Sequence, residues 1–143
     1  MSDEDEKDSG RQPRGFLALR ALAMPKDTNP SGDIFGGWIM AQMDIAGGMM
    51  AKEIAGGRVA TVTVEKMVFR LPVRVGNTVA IYAERLRVGN SSMDIGLEVW
   101  VKPLPGEYAA ERHLVTEGIF RYVAIDEHGR PRKVPPNSLF QAE

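Results

Sequence analysis

One stretch constrains the fold of this chain more than any other. Residues 34–51, IFGGWIMAQMDIAGGMMA, read as a helix that is apolar almost all the way round, with one carboxylate, Asp44, well inside it. A helix without a polar face has to be buried on most sides. At about 1.5 Å per residue the stretch is just long enough to suggest a membrane span. It carries Gln42, Asp44 and four glycines, however, and no second segment offers it a partner in a bilayer. The expectation is a buried helix in a globular domain, from about Gly36 to Ile54, stopped by Gly56-Gly57.

The rest of the chain supplies the cover. At 143 residues, 43% hydrophobic and 26% charged, it suits one domain with a real core. A net charge of -1 gives no field to attract nucleic acid or an anionic membrane. With no cysteine there is no disulfide, thiolate metal site or cysteine nucleophile, which suits a reducing cytoplasm. The opening MSDEDEKDSGRQPRG has no apolar signal core and reads as a disordered polar tail over residues 1–15. The domain is expected over 16–136, with a short tail at 137–143.

FLALRALAMP is a first strand, and KDTNPSGD after it is a loop by its turn chemistry. After the helix the sequence alternates. VATVTVEKMVFRLPV has apolar residues on both faces, so it is expected to be a central strand or one lying against a partner subunit. NTVAIYAERLRV continues the sheet. SSMDIGLEVWVK is the cleanest strand, with Met93, Ile95, Leu97, Val99 and Val101 facing in and Asp94, Glu98 and Lys102 facing out. PLPGEYAAER is a loop, HLVTEGIFRYVAID a last long strand, and EHGRPRKVPPNS a basic, proline-rich tail. Strands joined by short turns without helices should pair antiparallel with their sequence neighbours. The fold class is therefore α+β: one long central helix wrapped by a curved antiparallel sheet of about five strands.

This plan is that of the hotdog fold, and the residues carry the likeness further. RALAMPKDTNPSGDIFGGWIMAQMDIAGG resembles the opening of acyl-CoA thioesterases of the YciA type, bacterial relatives of the animal ACOT hotdog enzymes. The similarity continues through MVFRLPVRVGN, VGNSSMDIGLEVWV and FRYVAIDEHGRPRKVP, so it covers roughly Phe16 to Pro136. It implies a cytoplasmic hydrolase that splits an acyl-CoA into free acid and coenzyme A, without metal or other cofactor. It also implies a homo-oligomer, at least a dimer and usually a trimer of dimers, with no nucleic-acid partner and no insertion in a membrane.

The resemblance assigns Asp44 as the catalytic carboxylate. A carboxylate in apolar surroundings is costly to desolvate and holds its proton more tightly, which suits a base or nucleophile toward a thioester. Without the resemblance, an acid facing a wet groove or bonded to the sheet is an equal reading. Gly36 and Gly37 fall at the helix start, where unpaired N–H groups and the helix dipole favour negative charge. They are candidates for an oxyanion hole; alone, they read as flexibility. Gly36 and Asp44 are eight residues apart, about 12 Å along a helix. A nucleophile and an oxyanion donor must both approach one carbonyl within about 3 Å, so the two are expected to meet across a dimer.

Asn29, in the preceding loop, is the third catalytic candidate, as an amide that orients water or binds the thioester oxygen. Its plainer reading is a turn-forming residue before proline, and Asp33 is a candidate helix N-cap. Candidate contacts to coenzyme A are Thr63, Arg87, Ser91, Ser92, Arg130, Arg132 and Lys133, each of which alone is equally a surface residue. Met40, Met43 and Phe69 are expected to set tunnel depth. DTNP also resembles the hydratase signature of MaoC-like hotdog proteins, but those carry a histidine shortly after the Asn-Pro pair, where Ser31 and Gly32 stand here. The other alternative is a non-catalytic acyl-CoA-binding protein, for which the chain offers no DNA-binding region. His113 and His128 have no acidic partner at a recognisable spacing.

Overall fold

The computed structural model describes residues 11–102 and 112–136. β1 (Phe16–Leu22) leads through a 3-10 turn (Pro25–Asp27) to α1 (Gly36–Ala55). β2 (Val59–Phe69), β3 (Thr78–Val88), β4 (Ser92–Lys102) and β5 (His113–Ala124) follow. The strands form one antiparallel sheet in the order β1-β3-β4-β5-β2. α1 packs on its inner face and touches all five strands. Residues 103–111 of the expected loop PLPGEYAAER and the tail at 137–143 lie outside the described residues.

α1 buries Ile39, Met43, Ala46, Gly47, Met50, Ala51, Ile54 and Ala55, a stripe at helical spacing. Opposite it, Met93, Ile95, Leu97, Val99 and Val101 of β4 are all buried, as their alternation requires. The other side of the helix is not covered. Ala41, Ile45 and Met49 are exposed one turn apart, and so are Val64 and Phe69 of β2. The helix ends where glycine allows it. Gly56 takes the left-handed conformation at φ 68, and Arg132 donates to the last-turn carbonyl of Ala55 at 2.8 Å.

Two expectations about the sheet are corrected. Strands β3, β4 and β5 pair with their sequence neighbours, but β2 does not pair with β3; it lies at the far edge beside β5. The connection RLPVRVGN is too long and proline-bearing for a tight hairpin and crosses over instead. The N–H groups of Arg70 and Leu71 bond Val115, and the carbonyl of Val73 accepts from Ile34, which ties the crossover to the start of α1. β2 is accordingly an edge strand rather than a central one, which leaves the reading of a strand that faces a partner. The second correction concerns residues 11–15. They are held on the outer face of the sheet: the Arg11 guanidinium and the Arg14 N–H both bond Glu98. Glu98 also accepts from the indole of Trp100 at 3.0 Å, so an outward-facing acid ends up buried.

Candidate active site

Asp44 is half-buried on α1 and faces the junction of β2 and β5. One carboxylate oxygen does all its bonding to protein. Oδ1 accepts from the Thr61 hydroxyl at 2.7 Å and from the Tyr122 phenol at 3.0 Å. The same phenol lies 3.0 Å from the Asp44 main-chain carbonyl. Oδ2 has no hydrogen-bond partner among the described residues. Burial above all, then the neighbouring Asp44 charge and the hydrogen bond to it, push the Tyr122 phenol far above its ordinary range. It therefore stays a donor wherever the protein is folded.

The register of the sheet brings these groups together. Thr61 pairs with Tyr122 across β2 and β5, so both side chains leave the sheet on the helix side. A bulge between Thr61 and Thr63 then reverses the alternation, and Thr63 pairs with Arg121. Arg121 bonds Asp94 on the outer face at 2.7 Å. Thr63 thus sits on the opposite face from Asp44. Thr61 takes the place that simple alternation shares equally between the two threonines. Gly47, one turn beyond Asp44, makes room for the phenol: a Cβ there would lie 2.4 Å from the Tyr122 oxygen and 3.0 Å from Leu97. Sequence reasoning missed Thr61, Tyr122 and Gly47. The one signal it had for any of them was a glycine inside a helix that gains nothing from one.

A second group of candidates gathers at the start of α1. The helix N-cap is Phe35, not Asp33, and no side chain caps it. Trp38 and Ile39 bond back to Phe35, while the N–H groups of Gly36 and Gly37 have no acceptor among the described residues. Gly37 is exposed, and a Cβ added to it would meet nothing within 4 Å. Asn29 has the turn-forming character expected of it. Its Oδ1 accepts the N–H groups of Ser31 at 2.9 Å and Asp33 at 3.0 Å, which fixes which end of the amide is oxygen. The Nδ2 donors have no acceptor among the described residues. Gly36 and Gly37 therefore present their N–H groups about two turns along α1 from the acid, and Asn29 lies in the loop that leads to them.

The expected coenzyme A contacts other than Thr63 collect at the opposite end of α1, where the β3–β4 turn meets residues 125–134. Val134 bonds Asn90, and Ala124 bonds Ser91 through main-chain groups. Not all of these side chains are open to an anion. Arg132 is committed to the carbonyls of Ile125 and Ala55. Arg87 bonds Asp94 and Ser92. Arg130 and Lys133 are exposed. Among the described residues no three His, Cys, Asp or Glu side chains group so as to hold a metal, and no helix is long and apolar enough to cross a membrane.

A helix held against a five-stranded antiparallel sheet, with a carboxylate on the helix and a donor-lined helix start, is the hotdog architecture of thioester-cleaving proteins. Residues 31–105 match the thioesterase superfamily, and the chain belongs to that family. The acyl-CoA thioester hydrolase YciA of Escherichia coli (strain K12) is 54% identical over 123 residues, which span 86% of this chain and 93% of that protein. A hexameric broad specificity acyl-coenzyme A thioesterase of known structure is 53% identical, with a TM-score of 0.86 over 93% of this chain and 90% of its own. The acyl-CoA hydrolase of Staphylococcus aureus, solved with butyryl coenzyme A and coenzyme A, is 26% identical. It covers 82% of this chain and 70% of its own, with a TM-score of 0.74. Alanine variants of that hydrolase have been solved at an asparagine, an aspartate and a threonine. The intervals between them, 15 and 17 residues, equal those between Asn29, Asp44 and Thr61 here.

Proposed function

We propose that this protein hydrolyses acyl-CoA thioesters to a free acid and coenzyme A. The observation that carries this reading is the Asp44 carboxylate, held by one oxygen to Thr61 and Tyr122 with the other unbonded among the described residues. The free oxygen either removes a proton from water as the water's oxygen bonds to the thioester carbon, or bonds to that carbon itself and is released by water. In the first route the carbon–sulfur bond then breaks and the thiolate takes the proton that the carboxyl group holds; in the second it breaks as the mixed anhydride forms, the thiolate takes its proton from solvent, and water then splits the anhydride into the free acid and the Asp44 carboxylate. The carbonyl oxygen gathers charge in between. The N–H groups of Gly36 and Gly37 and the Asn29 amide are the donors suited to receive it. Related proteins of the same fold are named as thioester hydrolases, and neither histidine stands by Asp44. His113 opens β5 opposite Val101, and His128 lies in the turn that follows that strand.

The donors at the start of α1 and the Asp44 of the same chain are too far apart for one carbonyl. In our reading each site joins the helix start of one chain to the acid of another. The exposed row Ala41, Ile45 and Met49, with Val64 and Phe69 beside it, supplies the surface for that pairing. A trimer of such dimers, as in the hexameric relatives, and a cytoplasmic location belong to the same proposal. Of the coenzyme A contacts in this reading, Arg130 and Lys133 are exposed, while Arg87, Ser92 and Arg132 are bonded within the chain. The test is a panel of saturated acyl-CoAs of rising chain length, with released thiol as the readout. Asp44→Asn should fold and lower kcat by about 10²-fold or more. A variant that turns over at the wild-type rate sinks the assignment.

A further inference from the structure

Resting on the hydrolase reading above, we infer that Tyr122 is a positioning residue that fixes which oxygen of Asp44 reacts. With Thr61 it occupies Oδ1 and leaves Oδ2 as the reactive oxygen. The phenol has a single proton, and the two acceptors in reach, each at 3.0 Å, belong to the same residue: the Asp44 main-chain carbonyl and Oδ1. A swing of the Asp44 side chain away from the sheet breaks this bond and the Thr61 bond together. The helix holds the backbone of Asp44, and the sheet holds one oxygen.

Tyr122 does not depend on Asp44 for its own placement. Its ring is 1% exposed and stacks on Phe120, with centroids 6.5 Å apart and planes at 23°. It stands on β5 between β4 and β2, paired with Met93 and Thr61. It is the fixed partner and the carboxylate the guided one. The depth of burial keeps the hydroxyl protonated, so it donates and does not compete as a base. Gly47 shows that the arrangement is built rather than incidental. A glycine in the middle of a helix is unfavourable relative to alanine, yet a Cβ here would stand 2.4 Å from the phenol oxygen. The glycine leaves the space through which Tyr122 reaches the acid.

A Tyr122 that merely fills the core is separated from one that works through Asp44 by a double-mutant cycle on turnover. Tyr122→Phe keeps the ring and removes the donor. It should lower kcat about tenfold, the usual cost of losing a hydrogen bond to a charged group. KM should stay within about twofold, since the phenol touches no substrate in this reading. Unfolding by urea should show no loss of cooperativity. In an Asp44→Ala background, at enzyme concentrations that resolve the residual rate, Tyr122→Phe should have no further effect. Where that residual rate is too low to resolve, the loss confined to kcat decides. Tyr122→Phe at wild-type kcat overturns the inference, as does an equal loss in both backgrounds. Should Asp44→Ala itself keep wild-type turnover, the hydrolase reading of Asp44 fails, and this inference with it. An inactive Asp44→Ala beside a fully active Tyr122→Phe defeats the inference alone.

Discussion

The shared site makes a quantitative demand on mixtures of two dead enzymes. One parent is Asp44→Ala, which lacks the acid. The other is Gly37→Val, chosen because the chain itself leaves the position empty: an added Cβ meets nothing within 4 Å. The same addition at Gly36 would come within 3.3 Å of the Phe69 ring, which would have to give by a few tenths of an ångström. A valine at 37 projects beside the N–H groups that have no acceptor among the described residues, where the proposal puts the thioester oxygen, and should then cost about 10²–10³ in kcat. Eight residues separate the helix start from Asp44, about 12 Å along the axis. In the proposed shared site a carbonyl would therefore meet the donors of one chain and the acid of the other. In a mixed dimer one site inherits both defects and the other neither. Random reassociation of equal amounts makes about half the dimers mixed, so about a quarter of the wild-type activity should return. Purification through two different affinity tags raises this to about half per dimer. If each chain held a complete site, both sites of a mixed dimer would be broken. Tagged heterodimers no more active than their parents refute the shared site. A Gly37→Val protein that is fully active by itself refutes the donor assignment before any mixing.

Two further predictions concern stability. Gly47→Ala gains up to about 1 kcal/mol of helix propensity but forces a Cβ against the buried phenol, with overpacking of about 1–3 kcal/mol; urea titration should show net destabilisation that Tyr122→Phe partly relieves, and strictly additive losses would count against the contact. The Arg121 hydrogen bond, aided by Arg87 and opposed by partial burial, holds the Asp94 carboxyl below its ordinary value of 3.8. A lowered folded-state value stabilises the protein above the unfolded-state value, and that stability is lost as pH falls through the folded one. Wild type should therefore lose its advantage over Asp94→Asn as the pH drops below about 4, and unfolding midpoints that stay a constant distance apart would contradict the pairing.

The parts of the fold legible from sequence were those set by short-range rules. Apolar spacing and the Gly56-Gly57 stop gave α1 to within a residue of its end, and alternation gave the inward row of β4. What escaped was set by groups far apart in the chain. The crossover after β2 depends on Val73 and Val115 bonding partners in other elements. Arg11 joins the domain through Glu98, 87 residues away. Arg132 looked like an anion ligand because its charge was visible and the helix end it caps was not. The site divides in the same way. Asp44 and Asn29 stand out as polar groups in unusual local settings. Thr61 is hidden by a bulge, because alternation holds only while the ladder is regular: two bulges interrupt β2, the second beside Lys66 at φ 53.

The position of the acid on the helix explains why a carboxylate is tolerated among so many apolar residues. α1 carries two apolar rows. Ile39, Met43, Ala46, Met50 and Ile54 face the sheet of their own chain, and Ala41, Ile45 and Met49 remain exposed on the other side. At 3.6 residues per turn, Asp44 falls between the two rows. In the first row it would lie in a core that excludes both water and substrate. In the second it would face whatever covers that surface, out of reach of Thr61 and Tyr122. At the seam one oxygen can be held by the sheet while the other opens toward the surface. A second chain laid over the exposed row would close the seam from above without displacing either bond. The acid is then desolvated only when the site is assembled. The chain on its own avoids burying the whole carboxylate, and in the proposed shared site the low-dielectric surroundings that would make it reactive arrive with the partner that would bring the donors.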